Sequence, residues 1–243
     1  MMKSAETSIK IHLIVVAAGI GSRFSKPANK LTQPHPPKQY ALIGNQSVLE
    51  HSIMAFDEID IDDITVVIHP DDTYWQHLNI KSNHAINNTV GGAQRHDSVR
   101  NGLKSIQAAP QDWVLVHDAA RPCVTPDEIN SLINCCLNQQ QGGLLVRPLT
   151  DTIKHSHDGN QVNKTINRNQ LYAALTPQMF RCGELLKSLT VFEADSITDE
   201  SSAMESQGQQ PLMVMGQSSN IKITEIFDLT IAECILRQQG RIK

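Results

Sequence analysis

The sequence predicts an α/β fold: a mostly parallel sheet with helices on both faces, plus a protruding β-arm. Three observations carry this. Short runs that are apolar at every position recur along the chain, in "IHLIVVAAG", "ITVVIHP", "WVLVHDAARP" and "GGLLVRPL". A strand buried on both faces reads as such a run, whereas a half-exposed strand alternates. Between the runs lie segments with apolar residues at helical spacing, the order expected of strands joined by crossover helices. From Thr150 to Pro177 this alternation stops and the chain turns polar.

The elements follow in chain order. "IHLIVVAAG" is a buried strand that runs into glycines, and "VLEHSIMAFDEI" is helical. "ITVVIHP" is a second strand ended by proline, and "AINNTVGG" a weaker third. In "RHDSVRNGLKSIQ", Val99, Leu103 and Ile106 share one helical face. After the strand "WVLVHDAARP", the segment "TPDEINSLINCCLNQ" opens with a Thr cap, Pro at the first helical position and acids in the first turn, the signature of a helix start. "GGLLVRPL" is a further strand. In the polar stretch 150–177, "DTIKHS" and "QVNKTI" flank the turn signal "HDGN", which predicts a β-arm that leaves the sheet and returns. A helix around "CGELLKSLTVF", a short helix in "DESSAMESQG", strands "PLMVMG" and "NIKIT", and a last helix "FDLTIAECILRQ" complete the chain.

Length and composition bound the function. The 243 residues, 40% hydrophobic, suit one domain over 1–243 with a sizeable core. The net charge is −4 and no long run of Lys or Arg occurs, which argues against a nucleic-acid polymer as partner. Five cysteines in no zinc-ligand spacing read as thiols in a reducing compartment. The apolar stretch near the N-terminus is about six residues, short of the roughly 7–15 of a signal peptide, and a membrane span needs about 20. A cytoplasmic protein with no membrane partner is expected.

In open α/β sheets ligands bind beyond the carboxyl ends of the strands. The residues collected there are Gly19, Gly21, Ser22 and Arg23 after the first strand; Gly91, Gly92, Arg95, Asp97 and Ser98 after the third; Asp118, Ala119, Ala120 and Arg121 after "WVLVH"; and Asn220 and Lys222 near the end. Glycines let a backbone approach a phosphate and donate to it, and arginine adds a fixed fork of donors. The turn is not a dinucleotide fingerprint, since Phe24 follows Gly19-x-Gly21-x-x, and no P-loop motif is present. Taken alone it fits a phosphate site or a plain strand–helix turn. Lys38, in "PPKQYALIG", and the Asp118/Arg121 pair add candidate charge; an ion pair capping the strand end is the other reading of that pair.

Taken together and in order, "VVAAGIGSRF", "PKQYALIG", "LEHSI", "GGAQRHDSVRNGL", "WVLVHDAARP", "DTIK", "NRNQLYAALTPQMF", "ITDESSAME" and "NIKIT" resemble the 2-C-methyl-D-erythritol 4-phosphate cytidylyltransferase family of the non-mevalonate route to isoprenoid precursors. The resemblance runs from about Ile11 to the final helix. It implies a Rossmann-like fold of nucleotidyltransferase type and transfer of CMP from CTP to the substrate phosphate, with Mg²⁺ held mainly by the CTP phosphates. It also implies a homodimer formed through the arm.

Residue by residue, the resemblance implies that Ala17, Ala18, Gly19, Gly21 and Arg23 hold the CTP phosphates. Lys38 contacts the phosphates and, with Arg23, stabilises the transition state. Gly92 and Ser98 read cytosine, and Ala119 lies near the ribose. Asp118 and Arg121 bind methylerythritol phosphate. Thr152 and Arg168 sit in the arm that reaches the partner's site, and Thr198 lies in the T-D-E motif. Arg168 and Lys222 position the attacking phosphate. Two departures stand out. Ala93 replaces the acid that family members usually carry after the glycine pair. The segment 24–37, with four prolines and the extra lysines Lys26 and Lys30, is longer than expected and fits either a mobile lid or a passive insertion. A cytidylyltransferase for another polyol phosphate, such as ribitol 5-phosphate, and a non-catalytic nucleotide-binding module are the alternatives.

Overall fold

A computed structural model of the chain describes residues 9–19, 21, 24, 36–191 and 197–243. Its centre is a seven-stranded sheet made of β1 (Ile11–Val16), β4 (Asp63–Ile68), β5 (Ala85–Val90), β6 (Trp113–Asp118), β7 (Gly143–Pro148), β10 (Tyr172–Arg181) and β11 (Leu212–Met215), in the order β11-β7-β10-β6-β1-β4-β5. β2 (Leu42–Ile43) and β3 (Gln46–Ser47) form a separate two-stranded pair. β1 pairs in parallel with β4 and β6, β4 with β5, and β7 with β11. β10 runs antiparallel between β6 and β7.

The all-apolar strands are explained by helices on both faces. Leu13, Val15, Val66 and Leu115 point to one side, where they pack with Leu49 and Ile53 of α1 (Val48–Met54) and Ile129 and Leu132 of α3 (Pro126–Gln139). Their neighbours Ile14, Val67, Val114 and Val116 point to the other. There they meet α2 (Arg95–Ser105), α4 (Cys182–Val191) and α5 (Glu200–Glu205) through Val99, Leu103, Leu185 and Met204. α6 (Phe227–Gln238) closes a smaller cluster with Phe24, Ile43 and Val48. The cap read at Thr125 is a capping box with Glu128, and Ser47 and Glu50 form another at α1.

Three expectations are corrected. The helix expected over 48–59 ends at Met54. "NIKIT" is not a strand: it makes a backbone bond from Ile223 N–H to Ala120 O at 2.8 Å but joins no ladder. The stretch 150–177 does contain a hairpin, β8 (Ile153–His155) with β9 (Lys164–Ile166), around a turn whose Gly159 has φ +75°. Its last six residues, however, are the first part of β10 and belong to the central sheet. Thr176, Pro177 and Gln178 disguise this strand as loop. The pairing with β7 breaks register between Ala174 and Gln178, where Pro177 can donate nothing to a ladder.

At the opposite edge from the carboxyl ends, buried His12 places Nδ1 2.9 Å from Asp63 Oδ2 and Nε2 3.7 Å from Asp112 Oδ2. The Asp63 hydrogen bond outweighs burial and, with attraction to both carboxylates, raises the imidazole above its ordinary 6.5. A raised folded value stabilises fully below 6.5 and is lost as pH climbs through the folded value. The melting-temperature gap between wild type and His12→Gln should therefore be widest near about pH 6 and narrow toward about pH 9. A gap that is flat with pH would show that folding does not shift the His12 imidazole, and one that widens as pH rises would show that it is held neutral.

Candidate active site

The carboxyl ends of β1, β5 and β6 open on one cavity of about 190 Å³, whose lining includes Ala17, Ala18, Gly19, Lys38, Gly92, Ser98, Asp118, Ala119 and Lys222. β1 supplies the small-residue turn. Gln39, 3% exposed, holds that turn from behind: its Nε2 donates to Ala17 O at 2.7 Å and to Gly19 O at 3.1 Å. Gly21 lies just beyond, at φ +62°, a conformation that costs glycine little.

The glycine pair after β5 is required by packing. A Cβ on Gly91 would stand 2.6 Å from Ala18 Cβ and 2.7 Å from Ser98 Oγ, and one on Gly92 would stand 2.3 Å from Asp97 Cβ. Tight packing fixes the start of α2. Ser98 Oγ accepts from Gly92 N–H at 3.1 Å and donates to Gln94 O at 3.2 Å. The Asp97 carboxylate accepts from Gln94 N–H, so it caps the helix and does not face the cavity lining.

Asp118 ends β6 with 7% exposure. Its Oδ1 accepts from Arg95 Nε and Nη2 at 3.1 and 3.0 Å. Its Oδ2 lies 2.7 Å from Lys222 Nζ and 3.8 Å from Arg121 Nε. Burial alone would push this carboxyl up, but Arg95, Lys222 and Arg121 outweigh it and hold it well below 3.8. Beneath it the network is neutral. Asp118 N–H donates to Thr176 Oγ1, whose hydroxyl donates to His117 Nδ1 at 3.0 Å, and His117 Nε2–H donates to Arg121 O at 3.1 Å. These roles assign one tautomer to His117, and burial lowers its pKa to about 4, so no second charge competes with Asp118.

The segment around Lys222 is gripped on both sides. Arg121 Nη1 donates to Asn220 O at 2.8 Å and Lys38 Nζ to Ile223 O at 3.0 Å. Lysine and arginine from distant loops thus converge on one turn, which has no regular structure of its own.

A family model described as 2-C-methyl-D-erythritol 4-phosphate cytidylyltransferase matches residues 11–238. The chain belongs to the 2-C-methyl-D-erythritol 4-phosphate cytidylyltransferase family. It is 42% identical over 234 residues to the family enzyme of Hahella chejuensis, covering 94% of each chain. It is 39% identical over 239 residues to that of Vibrio parahaemolyticus, covering 96% of this chain and 99% of the relative. Among solved structures, the cytidylyltransferase of Francisella tularensis is similar with TM-score 0.78 and 34% identity over 93% of this chain and all of that one. A 4-diphosphocytidyl-2C-methyl-D-erythritol synthase gives TM-score 0.80 at 33% identity, over 94% and 99% of the two chains.

Measured against the family reading, the cavity brings together Ala17, Ala18, Gly19, Lys38, Gly92, Ser98, Asp118, Ala119 and Lys222, with Arg121 one contact behind. Arg23, Lys26, Lys30 and residues 25–35 of the long segment lie outside the described residues. Thr152 and Arg168 are exposed on and beside the arm, where Arg168 donates to Thr150 O, and they are not among the described lining residues. Thr198 also lies off the cavity, with its N–H donating to Ser202 Oγ at 3.0 Å. Sequence spacing does not mark Gln39, Thr176 or Glu200, which support the site through tertiary contacts. Arg95 stands among the strand-end residues, and the resemblance implies no role for it.

Space, and not backbone freedom, sets the demand at Gly91. Gly91→Ala should cost about 1–3 kcal/mol through overpacking, a fall of several degrees in melting temperature. Gly19 has nothing within 4 Å of a built Cβ and no positive φ, so Gly19→Ala should melt with wild type. Equal melting temperatures for the two variants would show that the turn at Gly91 gives way.

Proposed function

We propose that this cavity is where the phosphate of 2-C-methyl-D-erythritol 4-phosphate meets CTP. As its family does, the protein transfers a cytidylyl group, giving 4-diphosphocytidyl-2-C-methyl-D-erythritol and pyrophosphate. A phosphate oxygen of the alcohol substrate attacks the α-phosphorus of CTP. That P–O bond forms as the bond to the β-phosphate oxygen breaks, and pyrophosphate leaves with the electron pair. A phosphate monoester is already nucleophilic near neutral pH, so no general base is required. The obstacle is repulsion between two anions, and catalysis is positioning plus charge stabilisation. The observation that carries the reading is the convergence of Lys38, Arg95 and Lys222 on the cavity floored by the Ala17–Gly19 turn.

The roles divide along the cavity. The turn, Gly21 and Lys38 hold the triphosphate, a role that the family resemblance also assigns to Arg23. Gly92 and Ser98 face the base. The Ser98 proton is committed to Gln94 O, so the hydroxyl has an acceptor left to offer. That suits the amino group of cytosine better than the carbonyl of uracil, and makes up for the acid that Ala93 replaces. Asp118, Arg121 and Lys222 take the polyol phosphate, and the family resemblance assigns Thr198, which lies off the cavity lining, to the same substrate. Arg168 and Thr152 come from the partner's arm in a homodimer. A two-stranded hairpin is marginal alone, and a two-fold dimer gives it a surface to pack on.

Among the described residues no group of three or more His, Cys, Asp or Glu is placed to hold a metal ion. The carboxylate among the described lining residues, Asp118, is already engaged by Arg95, Lys222 and Arg121. This donor set fits Mg²⁺ carried mainly on the triphosphate, since Mg²⁺ keeps several of its waters and takes few protein ligands when substrate phosphates hold it. Bound there, it would offset phosphate charge. No helix among the described residues is long and apolar enough to cross a membrane. Use of CTP and cysteines without disulfide partners support placing the enzyme in the cytoplasm.

Pyrophosphate release from CTP and Mg²⁺ should depend on added methylerythritol phosphate and should not be matched by ribitol 5-phosphate. Equal rates with the two alcohols would overturn the substrate assignment. The arm is tested by mixing an Arg168→Ala chain with a Lys38→Ala chain, each nearly inactive alone. If Arg168 serves the neighbour's site, random mixing should restore about a quarter of wild-type activity, because half the dimers are mixed and half their sites intact. No recovery would place Arg168 in its own chain's site.

A further inference from the structure

Arg95 lines the cavity with Lys38 and Lys222, but its guanidinium is taken up by four hydrogen bonds to two carboxylates, Asp118 and Glu200. It begins α2, immediately after the Gly91–Gln94 turn. Besides its two bonds to Asp118 Oδ1, it donates from Nη1 and Nη2 to Glu200 Oε1 and Oε2 at 2.6 and 3.1 Å. Glu200 is 1% exposed and is the first residue of α5. One guanidinium therefore joins three elements that are distant in sequence: the start of α2, the end of β6 and the start of α5.

We infer that Arg95 is a positioning residue for the polyol-phosphate half of the reaction, acting through Asp118. This rests on the reading of the cavity given above. By engaging Oδ1 from one side, Arg95 fixes the carboxylate plane and leaves Oδ2 to Lys222 and Arg121. Through Glu200 it fastens α5, and with it Thr198, to the same point. The planar fork is what this requires. A guanidinium can address two carboxylates at set angles, whereas an ammonium offers one centre with no preferred plane. Stability alone is a weak reason to keep such a group, because buried ion pairs are often replaceable by apolar side chains of similar volume. Burial raises the Glu200 carboxyl and Arg95 opposes this, so the pair must be removed together if the fold is to be spared.

The test is steady-state kinetics on the full chain with CTP, Mg²⁺ and methylerythritol phosphate, each substrate varied in turn. The double variant Arg95→Met/Glu200→Met removes both members of the buried pair and leaves Asp118 to Lys222 and Arg121. It should fold with a lowered melting temperature, keep the KM for CTP within about twofold, and raise the KM for methylerythritol phosphate about tenfold or more, since misplacing a contact by an ångström can cost about a hundredfold. Arg95→Lys keeps the charge but not the fork, and decides the matter if the double variant fails to fold. It should raise the same KM several-fold and again spare the KM for CTP. Wild-type KM values in whichever variant folds would overturn the inference, as would parallel rises for both substrates, which mark general loosening. No product from wild-type enzyme would instead overturn the reading on which the inference rests, and the inference with it.

Discussion

Asp118 carries a buried negative charge at the end of a central strand, and the rest of the site is arranged around keeping it there. Arg95 reaches it from the start of α2, Arg121 from the turn that follows β6 itself and Lys222 from the segment before α6. A charge in this position is costly unless paired and hydrogen-bonded, so the start of α2 and the Lys222 segment are tied to the sheet by the same interaction. The Lys222 segment has no ladder of its own and is further held by carbonyl bonds from Arg121 and Lys38. The cations that suit a phosphate are thus held ready by a carboxylate that cannot leave.

The sheet explains why Asp118 can play this part. β6 lies between β1 and the antiparallel β10, so Thr176 of β10 comes beneath Asp118 and accepts its backbone N–H. Thr176 and neutral His117 fill the space below with a satisfied polar chain. Glycines at 91 and 92 let the turn before α2 pack between Ala18 on one side and Asp97 and Ser98 of the helix on the other, which brings Arg95 within reach. Packing on the two faces of the sheet and charge at its edge are therefore one construction.

Much of this was legible in the sequence because its causes are local. Continuous apolar runs showed strands covered on both faces, and Thr125-Pro126 with its following acids showed a helix start. Glycines and cations clustered after strands marked the edge at which the cavity lies. β10 was not legible, because Thr176, Pro177 and Gln178 look like loop residues until the partners that satisfy them are known. Gln178, for instance, donates to Asp199 and accepts from Ser201 N–H. Gln39 and Glu200 escaped for the same reason. Their partners are the Ala17–Gly19 backbone and Arg95, contacts set by tertiary folding and invisible in spacing. Assigning Asp118 to substrate came from the family resemblance; its three-cation environment came from the fold.

The buried, three-fold compensated charge on Asp118 is open to direct measurement. A carboxyl whose folded value is depressed contributes its full stabilising effect above its unfolded value and loses it progressively as pH falls from there through the folded value. The side-chain carboxylate carbon of Asp118 can be followed by ¹³C NMR during acid titration, with Asp118→Asn to assign its signal. The expected result is a carboxylate that stays ionised below pH 3.8 and takes up its proton only far into the acid range or as the protein unfolds. A titration midpoint at or above 3.8 in the folded protein would contradict the organising role given to this charge.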